Sequence, residues 1–511
     1  MEPNLMPASG LQSGGTGPTQ SAPAIQRTKN SLVIPVVAAA FLVILFAMMA
    51  AEVTPGMPSE GTDWAMYVMH ARNLVKGLPY TQTGYVFQPE STTEIAATSY
   101  PSGFPILLAP FYAVFGPDLK LFKVLNCAFL VLSLWPIYLF ARRSLRQISS
   151  FLLILSLGLS ALYFGSFNAI GSDAPYQLAA FLVLLLLLRI YDRRLNETDP
   201  WKWGLLAGFS IACAYLIRPF GLAFLLAVAG FDLLKRHRPS TFLIATITAL
   251  LPPIVLNNLL LHKDSSYSYQ FTLAISPIVQ HALAYIGFLS YIFVNTVSHA
   301  FRYVLWGVTL ILALIAVIRR GRAALGLTEL YVLVIFAVDC AFWQPFPRYL
   351  LSIFPVYMVY IFDGFQTLVT RVPQRFTLPI QVSAAVVLLL VPAVNAALLR
   401  PDASDTLITA PRYEQLCAEV RRQTAPDTLV IFWNPRVLAF STGRRSSGWP
   451  SEGPPDRIVT YLRRVLPDYI VTDNSRPDDR RFLIPVVRDA SLQLATVYQN
   501  DRFSLLRVLR R

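Results

Sequence analysis

The sequence is poor in charged residues, cysteine and histidine, and each shortage excludes a class of protein. Only 14% of the 511 residues are charged, whereas 55% are hydrophobic, a balance too apolar for a soluble protein of this size. The four cysteines form no disulfide framework or metal-ligand spacing, and the five histidines show no metal-site signature. The composition therefore predicts a polytopic α-helical membrane protein.

Motifs for nucleotide chemistry are also missing. The sequence contains neither a phosphate-binding Walker loop nor a dinucleotide fingerprint, and no arrangement of Ser, His and Asp is recognisable. A nucleotide-driven pump is therefore not expected. The net charge of +14 does not indicate nucleic-acid binding, because the Lys and Arg residues lie mostly in short clusters between apolar runs.

Eleven apolar runs approach the length of about 20 residues that a spanning helix needs. We predict about eleven transmembrane helices in a membrane domain at 31–399. Residues 1–30 are rich in Ser, Gly, Pro and Gln and lack an apolar stretch, which predicts a disordered cytoplasmic tail. The predicted spans are 32–51, 119–141, 151–167, 174–191, 203–217, 220–234, 241–261, 301–318, 327–343, 349–368 and 378–398.

Basic residues between the spans indicate the orientation. With eleven spans, six basic clusters fall on alternate connections, and the positive-inside rule makes that side cytoplasmic. The N-terminus is thus predicted inside and the C-terminus outside, in a multi-pass protein of the inner (plasma) membrane. The clusters begin at Arg27, Arg142, Arg193, Lys235, Arg319 and Arg371.

Two regions on the predicted outer face are not spans. In the large first loop, 52–118, apolar residues recur at helical spacing over 64–75 and Gly77 is a stop signal, so Asp63 would begin a short helix. The tail, 400–511, predicts a small extracytoplasmic α/β domain. Its predicted elements are helices at 413–424 and 458–465, strands at 428–433 and 469–472, and a hairpin of 495–498 with 503–508.

Carboxylates at the edge of a membrane are costly unless they have a role, and Asp63 and Asp173 both fall on outer connections. Each also stands where an acid commonly caps a helix, so a structural cap is the alternative interpretation. Arg218 and Arg348 are outer cations with apolar neighbours. They could clamp a phosphate in an internal cavity, or extend to the lipid headgroups.

Five segments in this order resemble the GT-C class of integral membrane glycosyltransferases. The similarity is to the bacterial branch that is like protein O-mannosyltransferases and the lipid A aminoarabinose transferase, and it covers about 32–398. The segments are TDWAMYVMHARNLVKGLPY, YPSGFPILLAPFYAVFG, NAIGSDAPYQLAAFLVLLLL, AYLIRPFGLAFLLA and PRYLLSIFPVYMVY.

The resemblance implies an inverting transferase that moves a hexose or pentose from a polyprenyl-phosphate carrier to a glycan, lipid or protein acceptor on the outer face. Asp63 would be the catalytic base and Asp173 a second catalytic acid that orients the acceptor or the base, while Arg348 and Arg218 would bind the donor phosphate. Many relatives carry two adjacent acids in the first loop, whereas Trp64 follows Asp63 here. The supporting candidates are Glu60, Tyr67, Arg72 and Lys76.

No cofactor and no metal are expected, since the activated sugar arrives on a lipid. The expected partners are the polyprenyl-phosphate sugar, the acceptor and membrane lipids, without nucleic acid. Two alternatives stay open at this point. One is a flippase or transporter for a lipid-linked sugar, although no repeated halves are evident. The other is a ligase for lipid-linked oligosaccharides.

Overall fold

The computed structural model describes most of the chain outside its first 32 residues. The described ranges are 33–58, 62–91, 95–261, 270–293, 299–321, 325–373, 411–451, 454–488 and 493–509, with single positions 375, 376, 379, 390 and 394. The predicted tail 1–30 and nearly all of the predicted span 378–398 fall outside these ranges.

Helices make up the part of the chain before residue 370. They are α1 (Val33–Ala51), α2 (Asp63–Lys76), α3 (Gly103–Phe115), α4 (Leu119–Ala141), α5 (Gln147–Gly158), α6 (Ala161–Phe164), α7 (Asp173–Asp192), α8 (Leu195–Thr198), α9 (Pro200–Ile217), α10 (Leu222–Arg236), α11 (Thr241–Leu261), α12 (Ile275–Phe288), α13 (His299–Arg320), α14 (Leu327–Ala341) and α15 (Phe354–Val369). Short 3-10 turns lie at Ala97–Ser99, Pro219–Gly221, Leu289–Phe293 and Pro347–Ser352.

Several of these helices can cross a bilayer. Among the described residues, α1, α4, α7, α11 and α13 are the five that are long and apolar enough. The protein is therefore a polytopic membrane protein, and the count of eleven spans stays a prediction. One predicted span, 151–167, is not continuous: α5 ends at Gly158, and the Ser160 side chain caps α6 by accepting a hydrogen bond from the Tyr163 backbone.

A tight hairpin joins α9 to α10. Arg218 is extended between the two helices, and Pro219–Gly221 forms a single 3-10 turn. A Cβ at Gly221 would lie 2.3 Å from the backbone nitrogen of Tyr215, so only glycine permits this close crossing. The turn places the Arg218 side chain at the end of the hairpin.

Helix α2 begins at Asp63, as predicted, and its N-terminal half is enclosed on all sides. Every residue from Trp64 to Ala71 is buried, which is unusual for a loop helix. Its apolar side chains share one core with residues far along the chain, such as Tyr413, Phe432 and Leu438. The first loop therefore packs between the membrane helices and the C-terminal domain.

The C-terminal domain has the predicted α/β character. Its helices are α16 (Pro411–Gln423), α17 (Pro435–Thr442), α18 (Pro455–Val465) and α19 (Ile484–Arg488), and its strands are β1 (Leu429–Ile431), β2 (Arg445–Ser447), β3 (Tyr469–Asp473), β4 (Leu494–Gln499) and β5 (Phe503–Val508). The strand order is β2-β1-β3-β5-β4, with β2, β1 and β3 parallel and β5 antiparallel to both neighbours. The predicted hairpin is β4 and β5, whereas α17, α19 and β2 were not predicted.

The first loop extends the sheet of the C-terminal domain. Tyr85 pairs in parallel with Ser446 of β2, and backbone hydrogen bonds flank the pair, from Val86 to the Ser446 carbonyl and from Ser446 to the Gly84 carbonyl. Gly84 has a φ of +80° and its Cα lies so close to Arg444 that a Cβ would meet the Arg444 carbonyl oxygen at 2.9 Å. This backbone pairing fixes the C-terminal domain against the loop that carries Asp63.

Candidate active site

Asp63 directs its carboxylate away from its own helix. Its Oδ1 accepts a hydrogen bond from the Tyr100 hydroxyl at 2.5 Å and another from Nη1 of Arg436 at 2.8 Å. Nη2 of Arg348 lies 3.9 Å from its Oδ2. Thr62, at the capping position, makes no side-chain cap. The contacts of Asp63 thus join four separate parts of the chain, and a helix cap does not account for them.

A cavity of about 820 Å³ opens in front of Asp63, within the range of small-molecule sites in proteins. Although Asp63 lies deep in the molecule, 40% of its side-chain surface is exposed, because it lines this cavity. The cavity is lined by two sets of residues that differ in chemistry. Acids, arginines and tyrosines in contact with one another form its charged end. The apolar set includes Leu222, Ala223, Leu226, Val334 and Val338.

Asp173 and Arg218 both reach the charged end, where they form an ion pair with each other. The Arg218 guanidinium also lies over the rings of Phe220, at 4.9 Å, and Tyr349, at 5.1 Å. The side chains of the pair are 15% and 17% exposed, so the charges are largely removed from water. As with Asp63, the structure gives Asp173 a charged partner instead of a capping role, since no cap bond is present at Ser172.

Arg348 is held at the rim of the same end of the cavity. Its guanidinium stacks at 5.3 Å over Phe346 and at 5.5 Å over Tyr349. Its separation of 3.9 Å from Asp63 is too long for a strong hydrogen bond. Because 37% of its side chain is exposed and it lines the cavity, Arg348 can turn toward an incoming anion.

The four supporting candidates differ in whether they line the cavity. Tyr67 lines the cavity, where its hydroxyl lies 3.0 Å from the Ser172 hydroxyl. Arg72 and Lys76 do not line it: Arg72 bonds Asn73 and the Gln82 carbonyl, and Lys76 is exposed at the end of α2. A helix advances 1.5 Å per residue, so Lys76 lies roughly 20 Å along the axis from Asp63. Glu60 lies outside the described residues.

Arg436 is the residue of this site that sequence reasoning missed. It lies on α17 and is 2% exposed. Nη1 donates to the Thr62 hydroxyl at 3.1 Å as well as to Asp63, and Nη2 donates to the Ile95 carbonyl at 2.8 Å. The Asn434-Pro435 pair is a helix-start signal that could have located α17. No local signal relates position 436 to position 63, which is 373 residues away.

The charges around Asp63 outweigh its burial. Burial alone would raise the pKa of Asp63, but Arg436, Arg348, the Tyr100 hydroxyl and Arg218 together lower it below the ordinary value. Asp63 is therefore ionised at neutral pH. Burial raises the pKa of Tyr100 well above the ordinary tyrosine value, so this side chain remains a hydrogen-bond donor.

Metal ligands do not gather anywhere in the described part of the chain. No group of three or more His, Cys, Asp or Glu side chains there is arranged to hold an ion. Whether the protein uses a cofactor is not tested by this geometry, and the expectation of none stays a prediction.

Comparison with known proteins identifies the fold. The structure of ArnT from Cupriavidus metallidurans bound to undecaprenyl phosphate aligns over 94% of this chain and 98% of its own, with a TM-score of 0.56 at 12% identity. The chain has a GT-C fold. The resemblance to this class, drawn from the sequence, is confirmed at the level of the fold.

Other matches are consistent with the GT-C fold. The Archaeoglobus fulgidus oligosaccharyltransferase in its apo form aligns over 87% of this chain and 70% of its own (TM-score 0.56, 13% identity). Arabinofuranosyltransferase AftD from Mycobacteria covers 94% of this chain but 40% of its own (TM-score 0.50, 14% identity). The family model for dolichyl-phosphate-mannose-protein mannosyltransferase matches residues 99–258. No curated protein matches the sequence.

Proposed function

We propose that this GT-C protein is an inverting glycosyltransferase that uses a polyprenyl-phosphate sugar as donor and acts on the outer face of the membrane. The observation that carries the proposal is the cavity, whose lining combines the ionised carboxylate of Asp63 and two arginines, Arg348 and Arg218, with a set of apolar side chains. A lipid-linked sugar phosphate combines the same two kinds of chemistry. Its isoprenoid chain suits the apolar side chains and its phosphate suits Arg348 and Arg218.

The reaction can be written with these groups. An acceptor hydroxyl attacks the anomeric carbon, a carbon–oxygen bond forms, and the bond from that carbon to the phosphate oxygen breaks. The hydroxyl proton passes to Asp63, and the polyprenyl phosphate leaves with the bonding electrons. The guanidinium groups compensate the negative charge that develops on the leaving phosphate. Attack opposite to the leaving group inverts the anomeric carbon.

Donor binding would also adjust the base. In the structure Arg348 is one of the groups that keep the pKa of Asp63 low, which by itself makes Asp63 a weak proton acceptor. A donor phosphate that draws Arg348 away would remove part of this effect. Asp63 would then become a stronger base only when the donor is in place. Asp173, paired with Arg218, would hold that arginine toward the phosphate.

The outer-face assignment is supported by the distribution of the arginines. Arg348 and the C-terminal domain meet at the Asp63 end of the molecule. Toward the other end of α15, Asp363 is bound by Arg319 and by Arg320 at 2.8 Å, members of a predicted cytoplasmic cluster. Asp501 in the C-terminal domain has an 81% exposed side chain. A cysteine there, with Cys213 replaced by Ser, should react with an impermeant thiol reagent in intact cells; protection would reverse the orientation.

The deciding experiment follows label from donor to acceptor. Wild type and Asp63→Asn are purified in detergent and given radiolabelled polyprenyl-phosphate sugars with a membrane extract as acceptor. We expect carrier-dependent transfer by wild type and a loss of about 10²- to 10⁴-fold in Asp63→Asn, because the amide cannot accept the proton. Equal thermal stability of the two proteins is the control for folding. No transfer from any donor, with movement of labelled lipid across liposomes, would instead support a flippase.

A further inference from the structure

We propose that Arg436 is a positioning residue for Asp63: it holds one carboxylate oxygen so that the acceptor proton is taken by the other. The C-terminal domain would then be part of the active site and not only its cover. The inference rests on the proposed function for the role of Asp63 as base, and on geometry for the rest.

The two oxygens of Asp63 have different surroundings. Oδ1 receives two short hydrogen bonds, from the Tyr100 hydroxyl and from Arg436. Oδ2 faces Arg348 at 3.9 Å on the cavity side. A carboxylate oxygen that already accepts two strong hydrogen bonds is a poor site for a third proton, so Oδ2 is the oxygen left for the reaction.

Arg436 is built to hold Oδ1 rigidly. Its guanidinium donates to three groups of the first loop, at 62, 63 and 95, and lies over the rings of Tyr85, at 5.2 Å, and Tyr100, at 5.3 Å. A planar fork with several fixed acceptors fixes direction as well as charge, which an ammonium group cannot do. Since the residue is 2% exposed, water does not compete for these bonds.

Docking of the C-terminal domain brings Arg436 into place. Arg436 is the second residue of α17, whose start is capped by Asn434. Phe440 of the same helix packs edge-to-face on Trp64, the residue after Asp63, at 5.1 Å. Together with the Tyr85–Ser446 pairing, these contacts fix α17 against α2. If the domain were displaced, Asp63 would lose its shortest ion pair.

The other charged or titratable groups that face Asp63 come from three elements. They are Arg348 before α15, Arg218 after α9, and Tyr100 in the first loop, with Asp173 of α7 paired to Arg218. Among the cations, Arg348 and Arg218 are the two that a donor phosphate would engage. Arg436 also lines the cavity, but it is 2% exposed and would remain on Asp63 throughout the reaction. It is therefore the cation that keeps the base ionised when the donor is bound.

The test measures protonation of Asp63 directly. Dicyclohexylcarbodiimide reacts with protonated carboxyl groups, and tandem mass spectrometry of the Asp63 peptide locates the adduct, with Asp63→Asn as the blank. The full-length variants are Arg436→Met, which removes the charge, and Arg436→Lys, which keeps the charge but lacks the planar guanidinium group. The matched control is Arg464→Ala, which removes another arginine of the same domain that pairs with Glu90 of the first loop, away from Asp63.

We expect Arg436→Met to label Asp63 at pH 6.5 at least about tenfold more than wild type, since an adjacent cation lowers an Asp pKa by about one to three units. Arg464→Ala should label as wild type does. Arg436→Lys should also keep the labelling low but should reduce kcat about tenfold or more, while the donor KM stays within about twofold. Wild-type labelling in Arg436→Met, or wild-type kcat in Arg436→Lys, would overturn the inference.

The two proposals fail in different ways. If wild type transfers no sugar from any donor, the proposed function is wrong, yet the labelling still decides whether Arg436 controls the protonation of Asp63. If transfer occurs and is lost in Asp63→Asn but labelling is unchanged in Arg436→Met, the proposed function stands and the inference fails. Should Arg436→Met not fold, the kinetics of Arg436→Lys decide.

Discussion

Two acids that begin helical segments differ in their charge. One is Asp63 at the start of α2, and the other is Asp479, which begins the short π-helical turn Asp479–Leu483 in the C-terminal domain. Four cationic or hydrogen-bonding neighbours lower the pKa of Asp63 despite its burial. Burial raises the pKa of Asp479 to about 7, and the backbone N–H of Asp473, which donates at 2.8 Å, only partly offsets it. The sequence position of an acid at a helix start does not predict its charge.

The pKa values of the two acids shift in opposite directions because the arginines near them have different partners. Arg476 is close to Asp479 but pairs with Asp478 at 2.9 Å and lies over the Trp433 ring at 4.5 Å. Arg502 contacts Asp473. Asp479 therefore has cations nearby without a salt bridge of its own among the described residues. Direct guanidinium contact favours the ionised form of a buried acid, and of these two acids Asp63 is the one that has it.

The largest expected effect is on lipid binding by Arg348, the arginine near Asp63 that we assign to the donor phosphate. Arg348→Ala should weaken binding of a polyprenyl-phosphate lipid by about 10- to 100-fold, because a hydrogen-bonded ion pair to the phosphate is lost. Arg348→Lys should restore binding only in part, since a point charge replaces a fork. Binding is measured by titration of the detergent-purified protein. Unchanged affinity in Arg348→Ala would remove this residue from the donor site.

A smaller effect is expected when Asp479 is replaced by a neutral residue. Because the folded-state pKa of Asp479 is raised, its contribution to stability is complete below about pH 4 and is lost as the pH rises toward about 7. Asp479→Asn removes this loss and keeps an acceptor for the Asp473 N–H. We expect the amides of β3 to exchange hydrogen at least about tenfold more slowly in Asp479→Asn than in wild type at pH 8.

The control for this prediction compares wild type with Asp479→Asn at pH 4. The side chain at this position is then neutral in the folded form of both proteins. The exchange rates of the two proteins should converge there. Equal exchange at both pH values would mean that Asp479 is not a buried acid with a raised pKa. Sugar transfer should be retained in Asp479→Asn, since this residue does not line the cavity.

The smallest effect concerns His70, a buried base of α2 without a neighbouring acid. Burial lowers its pKa to about 4, and it stacks on Tyr80 at 4.0 Å while Nδ1 donates to the Tyr80 carbonyl. Its contribution to stability is complete above about pH 6.5 and is lost as the pH falls toward about 4. His70→Phe keeps the stacked ring and should flatten this dependence, at a cost of about 1 kcal/mol at neutral pH for the lost hydrogen bond.

Hydrogen exchange of the α2 amides between pH 4 and pH 7.5 measures this effect. Wild-type α2 should exchange faster, relative to the intrinsic rate, as the pH falls through this window, and His70→Phe should not. The same slope in both proteins would show that His70 already carries a proton when buried.

Much of the fold and part of the site could be predicted because their signals are local. Apolar runs and periodicity located most of the helices, though not α12, and most elements of the C-terminal domain, and the helix start at Asp63 was placed correctly. The structure brings Asp63, Asp173, Arg218, Arg348 and Tyr67 to one cavity. Arg72 and Lys76 were less predictable, since both are near Asp63 in sequence but follow α2 away from the cavity.

Hydropathy and periodicity act over a few residues, so they were enough to predict the membrane character, most helices and strands of the tail, and the acids and arginines of the connections predicted to be outer. How these groups pair depends on the tertiary structure. It placed Arg218 on Asp173, added Arg436 to Asp63, and gave Asp479 no salt bridge within the described part of the chain. The physical reason is that the charge state of a buried group depends on neighbours within a few ångströms, and folding brings those neighbours from distant parts of the chain.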